Sequence, residues 1–558
     1  MPNVPARTDE KLPAAASDEL VDVERNISDI IRARFSIVQV VTHEEDRARR
    51  LIEKIAARLE YHCYIWSVTR GIVEDFDTDV NVGVHKNLLT DFRSAIDHCE
   101  KIAQTGRKSL FIFLDPYPFL SKKAAEIAHR RRMREFAMNI RNRGYNATCV
   151  IIAPSRNVAP ELEKEVTLVD LPLPDHQYVT KFVDAFVNRV AKSPKIHIGP
   201  DHELVHALAD AAVGLTKAEI ENCLAKALVH DLAIQKDDVR FILEEKKQIV
   251  RKSGILEYMD THDLTLADIG GLEVLKKWLG VRRLAFSADA AEYGIHSPKG
   301  VLVTGIPGCG KSLAAKCVAA SWGMPLIQLD MGKVFSMWVG SSEENIRNAL
   351  KTCEAVAPCV LWIDEIEKGL AYNSKTMGDS GVSMRVFGTL ITWMQEKKAP
   401  VFIFATANDI EALPTELLRK GRFDDIFFVD LPTDAERKAI FEIHLRKHKH
   451  SPAAYDVNHL VELSGEAHLG PDTVLTGAEI EAWVNEAMIT SFARRRASQN
   501  PKDDLSMADF ESTLSRLVPV SRLRAEPFSR MRQWATEHAI NASERTPAAI
   551  GHGRRIDI

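Results

Sequence analysis

The chain has 558 residues, 45% of them hydrophobic, which is enough to bury several cores, and about three or four domains of ordinary size are expected. Its formal charge of -5 and pI of about 6.5 exclude a bulk electrostatic field that would draw it to nucleic acid or anionic lipid. Eight cysteines without a CxxC pair favour reduced thiols in a cytoplasm and exclude a zinc cluster at ligand spacing.

Residues 1–19 lack the apolar segment of a secretory signal and indicate a flexible lead-in. No run of about 20 apolar residues follows, so no membrane-spanning helix is predicted. We therefore expect a cytoplasmic protein that does not insert into membranes.

Short β-rich runs alternate with longer amphipathic stretches from residue 38 onward, the pattern of a parallel sheet covered by helices. The runs of the first half are FSIVQVV, HCYIWSV, SLFIFLD, TCVIIAP and VTLVDLP. The second half repeats the scheme with GVLVTG, LIQLD, CVLWIDE, VFIFATA and IFFVDLP. Each half closes with helical segments of a smaller, lid-like unit. The predicted fold is α/β, with three αβα layers and a helical lid in each half.

Two short strings recur in both halves and suggest an internal duplication. Residues 170–175 (DLPLPD) resemble 430–434 (DLPTD), and 215–221 (LTKAEIE) resemble 475–481 (LTGAEIE). Both pairs lie 260 residues apart, at 430 against 170 and at 475 against 215. The alternative is that any two α/β domains share such strings.

The first half lacks the residues that a nucleotide site needs. Its first strand is followed by VTHEED, in which three adjacent carboxylates, Glu44, Glu45 and Asp46, would repel a triphosphate. At the strand expected to carry a metal-binding carboxylate, Asp115 follows Leu114 but no glutamate comes next. We interpret this half as a degenerate copy with a structural or partner-binding role.

Residues 305–312 read GIPGCGKS and match GxxxxGK(S/T), between the strand VLVT and the helix LAAKCVAASW. Glycines let successive backbone N–H groups point at phosphate oxygens, and the helix N-terminus adds partial positive charge. Lys311 would neutralise the β- and γ-phosphates, and the Ser312 hydroxyl would bind Mg²⁺. A glycine turn without a ligand is the alternative. The predicted nucleotide contacts of this segment are Gly305, Ile306, Pro307, Gly308, Cys309, Gly310, Lys311, Ser312 and Leu313.

Two later strands end in polar residues suited to hydrolysis. The strand VLWI precedes Asp364, predicted to join the Mg²⁺ shell, and Glu365, predicted to orient and deprotonate the attacking water. The strand VFIFATA precedes Asn408, which we expect to bond the γ-phosphate or that water. Alternatively, Asn408 merely caps the following segment.

Taken together, these residues resemble an AAA ATPase module over 264–490, of the group that includes the meiotic, p97-like and membrane-scission unfoldases. The resemblance implies ATP and Mg²⁺ as ligands. It also implies that a linker packs on the adenine and that a lid segment contacts the nucleotide. The residues matching that linker and lid segment are Asp268, Ile269, Gly270, Gly477 and Ala478.

Arg419 and Arg422 resemble the arginine-finger segment of that group, which reaches into the ATP site of a neighbouring subunit. An arginine supplied in trans works only in a ring or at least in a dimer. The resemblance implies a homo-oligomer, expected to be a hexameric ring. The alternative is that both arginines pair with local acids such as Asp424 and Asp425. Ring closure would place two loops at a central pore. One of these loops is residues 373–383. The other contains the triplet expected to grip a polypeptide: Met337, Trp338 and Val339. The alternative is that Trp338 is an ordinary core residue.

Over nearly its whole length the chain resembles the AAA proteins of the chloroplast hypothetical open-reading-frame type, found in plastids and many bacteria. The strings WSVTRG, GIPGCGKSLAAK and GDSGVSMRVFGTLITWMQEK carry this resemblance. It implies an N-terminal P-loop-like domain without the phosphate loop. A plastid-encoded member would work in the plastid stroma.

The leading prediction is a Mg²⁺-dependent AAA ATPase that forms a ring and remodels or translocates a protein. A nucleotide-regulated scaffold, with a partner bound by the inactive first half, is the alternative. A nucleic-acid motor is disfavoured, because the arginine runs 130–132 and 494–496 are typical of solvated helix faces. The predicted domains are the lead (1–19), the degenerate α/β domain (20–190), its lid-like segment (191–255), the AAA large domain (256–435), its lid (436–518), and a C-terminal helix and tail (519–558).

Overall fold

The computed structural model describes residues 18–74, 89–120, 127–154, 156, 158–199, 203–261, 264–336, 342–371, 380–498 and 504–544. The chain forms two compact units, Met1–Glu245 and Lys246–Ile558. Of the helices within the described ranges, none is long and apolar enough to cross a membrane.

The first unit is built on a sheet whose order is β3-β2-β4-β5-β1-β6, parallel except for β3. Its strands are β1 (Ile37–Val41), β2 (His62–Ser67), β3 (Gly71–Glu74), β4 (Ser109–Leu114), β5 (Ala147–Ala153) and β6 (Val166–Asp170), with a small separate pair, β7 (His197–Ile198) and β8 (Ala233–Ile234). Its helices are α1 (Asp18–Arg32), α2 (Glu45–Leu59), α3 (Phe92–Gln104), α4 (Ile127–Arg143), α5 (His176–Val190), α6 (Leu204–Ala212), α7 (Lys217–Asp231) and α8 (Val239–Lys252), whose last residues belong to the second unit.

The second unit is built on a sheet ordered β15-β14-β10-β13-β12-β11-β9, parallel except for β9. Its strands are β9 (Leu256–Met259), β10 (Gly300–Gly305), β11 (Leu326–Leu329), β12 (Cys359–Ile363), β13 (Val401–Ala407), β14 (Asp425–Val429) and β15 (Ile540–Asn541). Its helices up to the lid are α9 (Glu273–Leu284), α10 (Ala288–Glu292), α11 (Lys311–Trp322), α12 (Met331–Ser336), α13 (Ser342–Val356), α14 (Lys368–Ala371), α15 (Ser380–Glu396) and α16 (Thr415–Leu418). Those of the lid and C-terminus are α17 (Asp434–Lys447), α18 (Val457–Leu463), α19 (Glu466–Leu469), α20 (Gly477–Ser498), α21 (Met507–Leu514), α22 (Val520–Leu523) and α23 (Ala525–His538).

The two sheets share one plan. Strands β6-β1-β5-β4-β2 of the first unit follow the same order as β14-β10-β13-β12-β11 of the second. An antiparallel strand lies at the same edge of both sheets, but β3 follows β2 in the chain, whereas β9 precedes β10. Each of the ten predicted strand runs forms a strand, because strands of a parallel sheet covered on both faces are apolar throughout. The predicted α/β fold, with a degenerate copy before the ATPase domain, is confirmed.

Three edge strands were not predicted: β3, β9 and β15. Residues 256–259 begin the predicted AAA large domain and pair with β11. The tail after residue 519 was expected to be helical and then loose, yet it adds β15 beside β14. Such short strands owe their conformation to a neighbour in the sheet and carry little signal of their own.

Candidate functional site

The predicted phosphate loop leaves the carboxyl end of β10 and ends where α11 begins. Gly305, Gly308 and Gly310 all have positive φ, at 138°, 78° and 92°, which glycine adopts without strain. A side chain at Gly305 would collide with the carbonyl oxygen of Val429 in the neighbouring β14. The glycines therefore permit both the curvature of the loop and its close approach to the sheet.

Lys311 is the first residue of α11, and its side chain is buried. The Nζ atom donates to the carbonyl oxygens of Gly305 and Ile306, at 2.7 and 2.9 Å. Burial lowers the pKa of this ammonium to about 8. Within the described part of the chain its hydrogen-bond partners are neutral carbonyls. A buried cation with neutral partners is suited to receive a polyanion.

Asp364 follows the last residue of β12 and lies beside α11. Its Oδ1 atom accepts hydrogen bonds from Ser312 Oγ at 2.9 Å and from Thr406 Oγ1 at 2.6 Å. Mg²⁺ prefers oxygen ligands and commonly takes only one or two from the protein, with phosphates and waters supplying the rest. The adjacent oxygens of Ser312 and Asp364 fit such an ion.

Glu365 adopts a left-handed conformation, with φ of 48°, which turns the chain away from the sheet. Its Oε1 atom accepts from Asn408 Nδ2 at 2.6 Å, and its Oε2 atom pairs with the ammonium of Lys368. Asn408 was expected to contact phosphate or water, and here its amide lies on the carboxylate predicted to be the base. The arrangement holds a potential general base by two donors.

Three residues of this site were missed by the sequence analysis: Lys368, described above, Thr406 and Glu367. Thr406 bridges the two acids, because its hydroxyl donates to Asp364 and accepts from the backbone N–H of Glu365 at 2.9 Å. Glu367 is buried, and its Oε1 atom accepts from the backbone N–H of Asn408 at 2.9 Å. The available signals were a hydroxyl within an apolar strand and a third acid two residues after Glu365.

The predicted adenine and lid segments both lie against α17, and the lid segment also contacts the phosphate loop. A side chain at Gly270 would meet Ile440 of α17, and an added Cβ at Gly477 would lie 3.7 Å from the same residue. The backbone N–H of Ala478 donates to the carbonyl of Gly308 at 3.0 Å. Ile269, which precedes Gly270 in the adenine segment, is buried in the core of the second unit.

Asp268 was also predicted to contact the nucleotide. Its carboxylate instead accepts from the backbone N–H and the hydroxyl of Thr265, at 2.7 and 2.8 Å, and so caps its own short turn. A contribution of Asp268 to nucleotide binding stays a prediction.

The two finger arginines lie in different environments. Arg419 is exposed, whereas Arg422 is half-buried, with Nη1 and Nη2 3.0 and 2.8 Å from the amide oxygen of Gln395 once that amide is correctly oriented. The suggested local acids are otherwise engaged. Asp424 accepts from the backbone N–H groups of residues 299 and 300, and Asp425 from Trp278 Nε1. The predicted pore residues Met337, Trp338 and Val339 lie outside the described residues.

The C-terminal segment packs directly behind the phosphate loop. Phe528 of α23 is buried against Ile306 of that loop and Leu431. Arg532 binds the carboxylate of Asp430, with Nε 3.0 Å from both oxygens. The ATPase sheet and its loop are therefore supported by residues more than 200 positions beyond the motif.

The shared sheet registers show which residues of the first unit occupy the positions of the site. With the left-handed residues Asp115 and Glu365 aligned, Leu114, Ile152 and Pro154 stand in the places of Asp364, Thr406 and Asn408. The proposed metal ligand and both polar strand ends are thus replaced by apolar side chains. Helix α2 begins at Glu45, whereas α11 begins at Lys311, so a carboxylate stands at the helix start in place of the ammonium. The expectation for Asp115 was wrong: it occupies the place of Glu365, with the same φ of 48°, and the metal-ligand position is held by Leu114.

The arginine runs are occupied by local contacts. Arg130 pairs with Glu161 at 3.2 Å, Arg131 with Glu135 at 2.8 Å, and Arg132 with both Asp97 and Glu100. In the other run, Arg494 binds Asp509 at 2.8 Å. Neither run is a row of unpaired cations of the type that tracks a phosphate backbone.

Family models match three parts of the chain. Residues 301–431 match the ATPase family associated with various cellular activities (AAA), residues 23–171 the N-terminal domain of SpoVK-like AAA ATPases, and residues 179–253 the second domain of that group. The AAA match covers the phosphate loop, both acids and Asn408.

Among similar proteins is the AAA domain-containing protein ycf46 of Pyropia yezoensis, 36% identical over 517 residues, which cover 92% of this chain and 98% of the relative. The ycf46 protein of Trieres chinensis is 34% identical over 92% of this chain and 96% of its own length. That of Guillardia theta is 35% identical, with 92% and 94% covered.

Proposed function

Because the chain belongs to the AAA ATPase family, in the group of the ycf46 proteins, we propose that its second unit binds ATP with Mg²⁺ and hydrolyses it to ADP and phosphate. The resemblance to the chloroplast open-reading-frame type is confirmed by these relatives. One observation carries the proposal: Ser312, Asp364, Glu365 and Asn408 meet at the carboxyl edge of one sheet, beside the buried Lys311.

In this proposal the phosphate loop and Lys311 bind the triphosphate. The backbone N–H groups at the start of α11 face the phosphates, and the ammonium compensates their charge. Ser312 and Asp364, whose side-chain oxygens lie 2.9 Å apart, would hold the metal ion. When bound, Mg²⁺ neutralises charge on the β- and γ-phosphate oxygens.

Glu365 acts as the general base. Its carboxylate takes a proton from water, whose oxygen bonds to the γ-phosphorus while the bond to the departing ADP oxygen breaks. Both carboxylate oxygens are held by donors, Asn408 and Lys368. To bind the water, Glu365 therefore has to give up one of these two hydrogen-bond donors. If the Asn408 amide is the donor released, it can orient the same water.

Two substitutions test this proposal. Glu365→Gln should retain ATP and lower turnover by about 10²–10⁴-fold, because the base is lost while the binding groups remain. Lys311→Ala should abolish both retention and turnover. Glu411→Gln, an equivalent change at an exposed position after Asn408, should behave like the unaltered protein. Undiminished hydrolysis by either site variant would refute the assignment.

We further propose that the protein forms a homo-oligomeric, hexameric ring that remodels or translocates a protein partner, with Trp338 contacting the polypeptide. The exposure of Arg419 supports this, because an arginine finger must reach a neighbouring subunit. The domain boundaries given above and a location in the cytoplasm, or in the stroma for a plastid-encoded protein, belong to the same proposal. Native mass spectrometry of the Glu365→Gln protein with ATP tests the subunit number.

The second candidate function is a nucleotide-regulated scaffold whose first unit binds the partner. Its support is the replacement of the polar strand ends by Leu114, Ile152 and Pro154, which frees that unit from nucleotide chemistry. If partner-dependent activity survives in the Glu365→Gln protein, hydrolysis is dispensable and the scaffold is favoured.

A further inference from the structure

The first unit carries a buried carboxylate at the point where the second unit has its phosphate loop. Glu44 immediately precedes α2, and its side chain is only 6% exposed. Its Oε2 atom accepts from Arg47 Nη1 at 2.6 Å, and its Oε1 atom accepts from the backbone N–H of Lys217 at 2.8 Å. Lys217 is the first residue of α7, so the carboxylate lies at a helix N-terminus.

Helix α7 corresponds to α20, the lid helix that contacts the phosphate loop. Both begin with the same capping box, Thr216 with Glu219 in α7 and Thr476 with Glu479 in α20. The second unit joins loop to lid through neutral backbone groups, by way of the Gly308 carbonyl. The first unit makes the corresponding connection with a negatively charged side chain, the kind of group that a helix N-terminus stabilises.

Arg47 extends this connection to α5. Its Nη1 atom also donates to the carbonyl of Pro172 at 2.6 Å, and its guanidinium carbon lies 5.6 Å from the centre of the Tyr178 ring. The ammonium of Lys217 lies over the ring of Phe182 instead of turning to the carboxylate. The charge of Glu44 is therefore met by Arg47 and by the α7 N-terminus, two groups that would otherwise suit a phosphate.

We propose that Glu44 is a built-in anion that holds helices α5 and α7 against the sheet of the first unit, in the place where a nucleotide-binding copy would hold phosphate. The first unit is then closed without any nucleotide. Its shape does not change with the ATP state, which suits a fixed platform. This proposal does not depend on ATP hydrolysis by the second unit.

Hydrogen exchange of the full chain tests the proposal. In Glu44→Ala, exchange of the amides at 217–220 should rise at least about tenfold, because the N-terminus of α7 loses its acceptor. Inorganic phosphate should restore slow exchange in this variant, whereas chloride at equal ionic strength should not, since phosphate can occupy the vacated anion position. Asp46→Ala removes the same charge nearby from a side chain that is 82% exposed, and it should exchange like the unaltered protein.

A second variant covers the case in which Glu44→Ala does not fold. Glu44→Gln keeps an acceptor oxygen and the side-chain volume but loses the charge, so exchange at 217–220 should be intermediate and indifferent to phosphate. Unchanged exchange in both variants would overturn the proposal. So would slowing of the same amides by ATP in a Lys311→Ala background, because nucleotide would then be acting at the first unit itself.

Discussion

Glu367 connects the two polar strand ends of the candidate site without facing the nucleotide directly. One of its carboxylate oxygens accepts from the backbone N–H of Asn408, and the other is buried and has no hydrogen-bond partner among the residues that the structure describes. Burial raises the pKa of this carboxyl, so the neutral form is favoured relative to an exposed glutamate. Because the Asn408 side chain in turn holds Glu365, Glu367 acts as a positioning residue for the base.

Replacing Glu367 should therefore affect turnover more than binding. We expect Glu367→Ala to lower kcat for ATP hydrolysis by about 10–10²-fold, as expected for a misplaced base and its partner, with the Kd for ATP nearly unchanged. Glu367→Gln keeps a carbonyl acceptor for the Asn408 N–H and should retain most activity. Steady-state hydrolysis and equilibrium ATP binding measure the two effects. A loss of affinity that matches the loss of kcat would assign Glu367 to binding instead.

The arginine finger is testable by complementation, because Arg419 is exposed whereas Arg422 contacts Gln395 of its own chain. Arg419→Ala should lower hydrolysis by about 10³-fold with ATP binding intact. Mixing it with the inactive Glu365→Gln protein should recover activity, since the latter donates an intact finger to a neighbour with an intact base. No recovery in assemblies shown to contain both variants would mean that Arg419 does not act in trans.

At this scale, the sequence predicted the residues whose backbone context is local. Lys311 and Ser312 are fixed by a glycine turn that opens a helix, so their environment could be inferred from one short segment. Thr406 and Glu367 depend on how β12 and β13 pair, which the linear pattern leaves open. The partner of Arg422 likewise comes from another element, Gln395 of α15, whereas Asp268 caps its own short turn through Thr265.

At the scale of whole elements, the C-terminal segment adds the last strand to one edge of the ATPase sheet. Strand β15 covers the edge of β14, and the carbonyl of Ala542 accepts from the N–H groups of Val274 and Leu275 in the first turn of α9. An uncovered edge strand and an uncapped helix both leave polar backbone groups without partners. The tail thus satisfies two elements separated from it by more than 100 residues.

Removing the anchor of this tail should destabilise the second unit. Asp430 is 7% exposed in its side chain, so Arg532→Met would leave a nearly buried carboxylate without its cation and should cost about 1–3 kcal/mol of unfolding free energy. Denaturant unfolding of the full chain measures this. Lys277→Met breaks the exposed pair with Glu544 and should leave the midpoint unchanged. Equal effects of the two substitutions would argue against a structural anchor at Asp430.

Helix α8 places a buried ammonium in the second unit. Lys246 is 2% exposed, its Nζ donates to the carbonyl of Val356 at 3.3 Å, and burial lowers its pKa from 10.5 to about 8. Between about pH 8 and 10.5 the unfolded chain keeps a proton that the folded chain has lost. Stability from this group therefore rises with pH across that window and is lowest below pH 8.

Lys246→Met should remove this pH dependence. At pH 7 we expect the variant to be about 2 kcal/mol more stable, since the desolvation cost of the ammonium outweighs one lost hydrogen bond. The advantage should shrink as pH rises from 8 to 10. Urea unfolding at several pH values checks this, with the exposed Lys252→Met as the control. A constant difference between Lys246→Met and the unaltered chain would exclude the titration.

Most elements were predictable because a buried parallel strand is apolar along its whole length. The strings that recur at a spacing of 260 residues do not mean that the two halves align throughout at one constant offset. The later string marks identical capping boxes on α7 and α20, whereas structurally equivalent residues such as Asp115 and Glu365 differ by 250 positions. Insertions between strands change the spacing, which a single offset cannot represent.

On the scale of the whole molecule, the chain carries one sheet plan twice and has the residues proposed for hydrolysis in the second unit. Both units keep the order of the strands that they share, and in both a residue of left-handed conformation follows the equivalent strand: Asp115 after β4 and Glu365 after β12. The architecture therefore does not depend on nucleotide chemistry. At the proposed site, the two units differ at the carboxyl ends of the strands and in the turns that precede α2 and α11. Fold is maintained by the apolar strand interiors, and function by the strand ends.

This separation of fold from site predicts which residues become protected from hydrogen exchange when nucleotide binds. With a non-hydrolysable ATP analogue, hydrogen exchange should slow at residues 305–313, 364–368 and 476–480, because loop, acids and lid surround the proposed site. Exchange at 42–48 and 216–222 should not change, because Glu44 already fills the corresponding position. Lys311→Ala should abolish the protection in the second unit. Protection of the first unit that requires Lys311 would instead reveal transmission from one unit to the other, and the first unit would then be a receiver of the ATP signal, not a fixed platform.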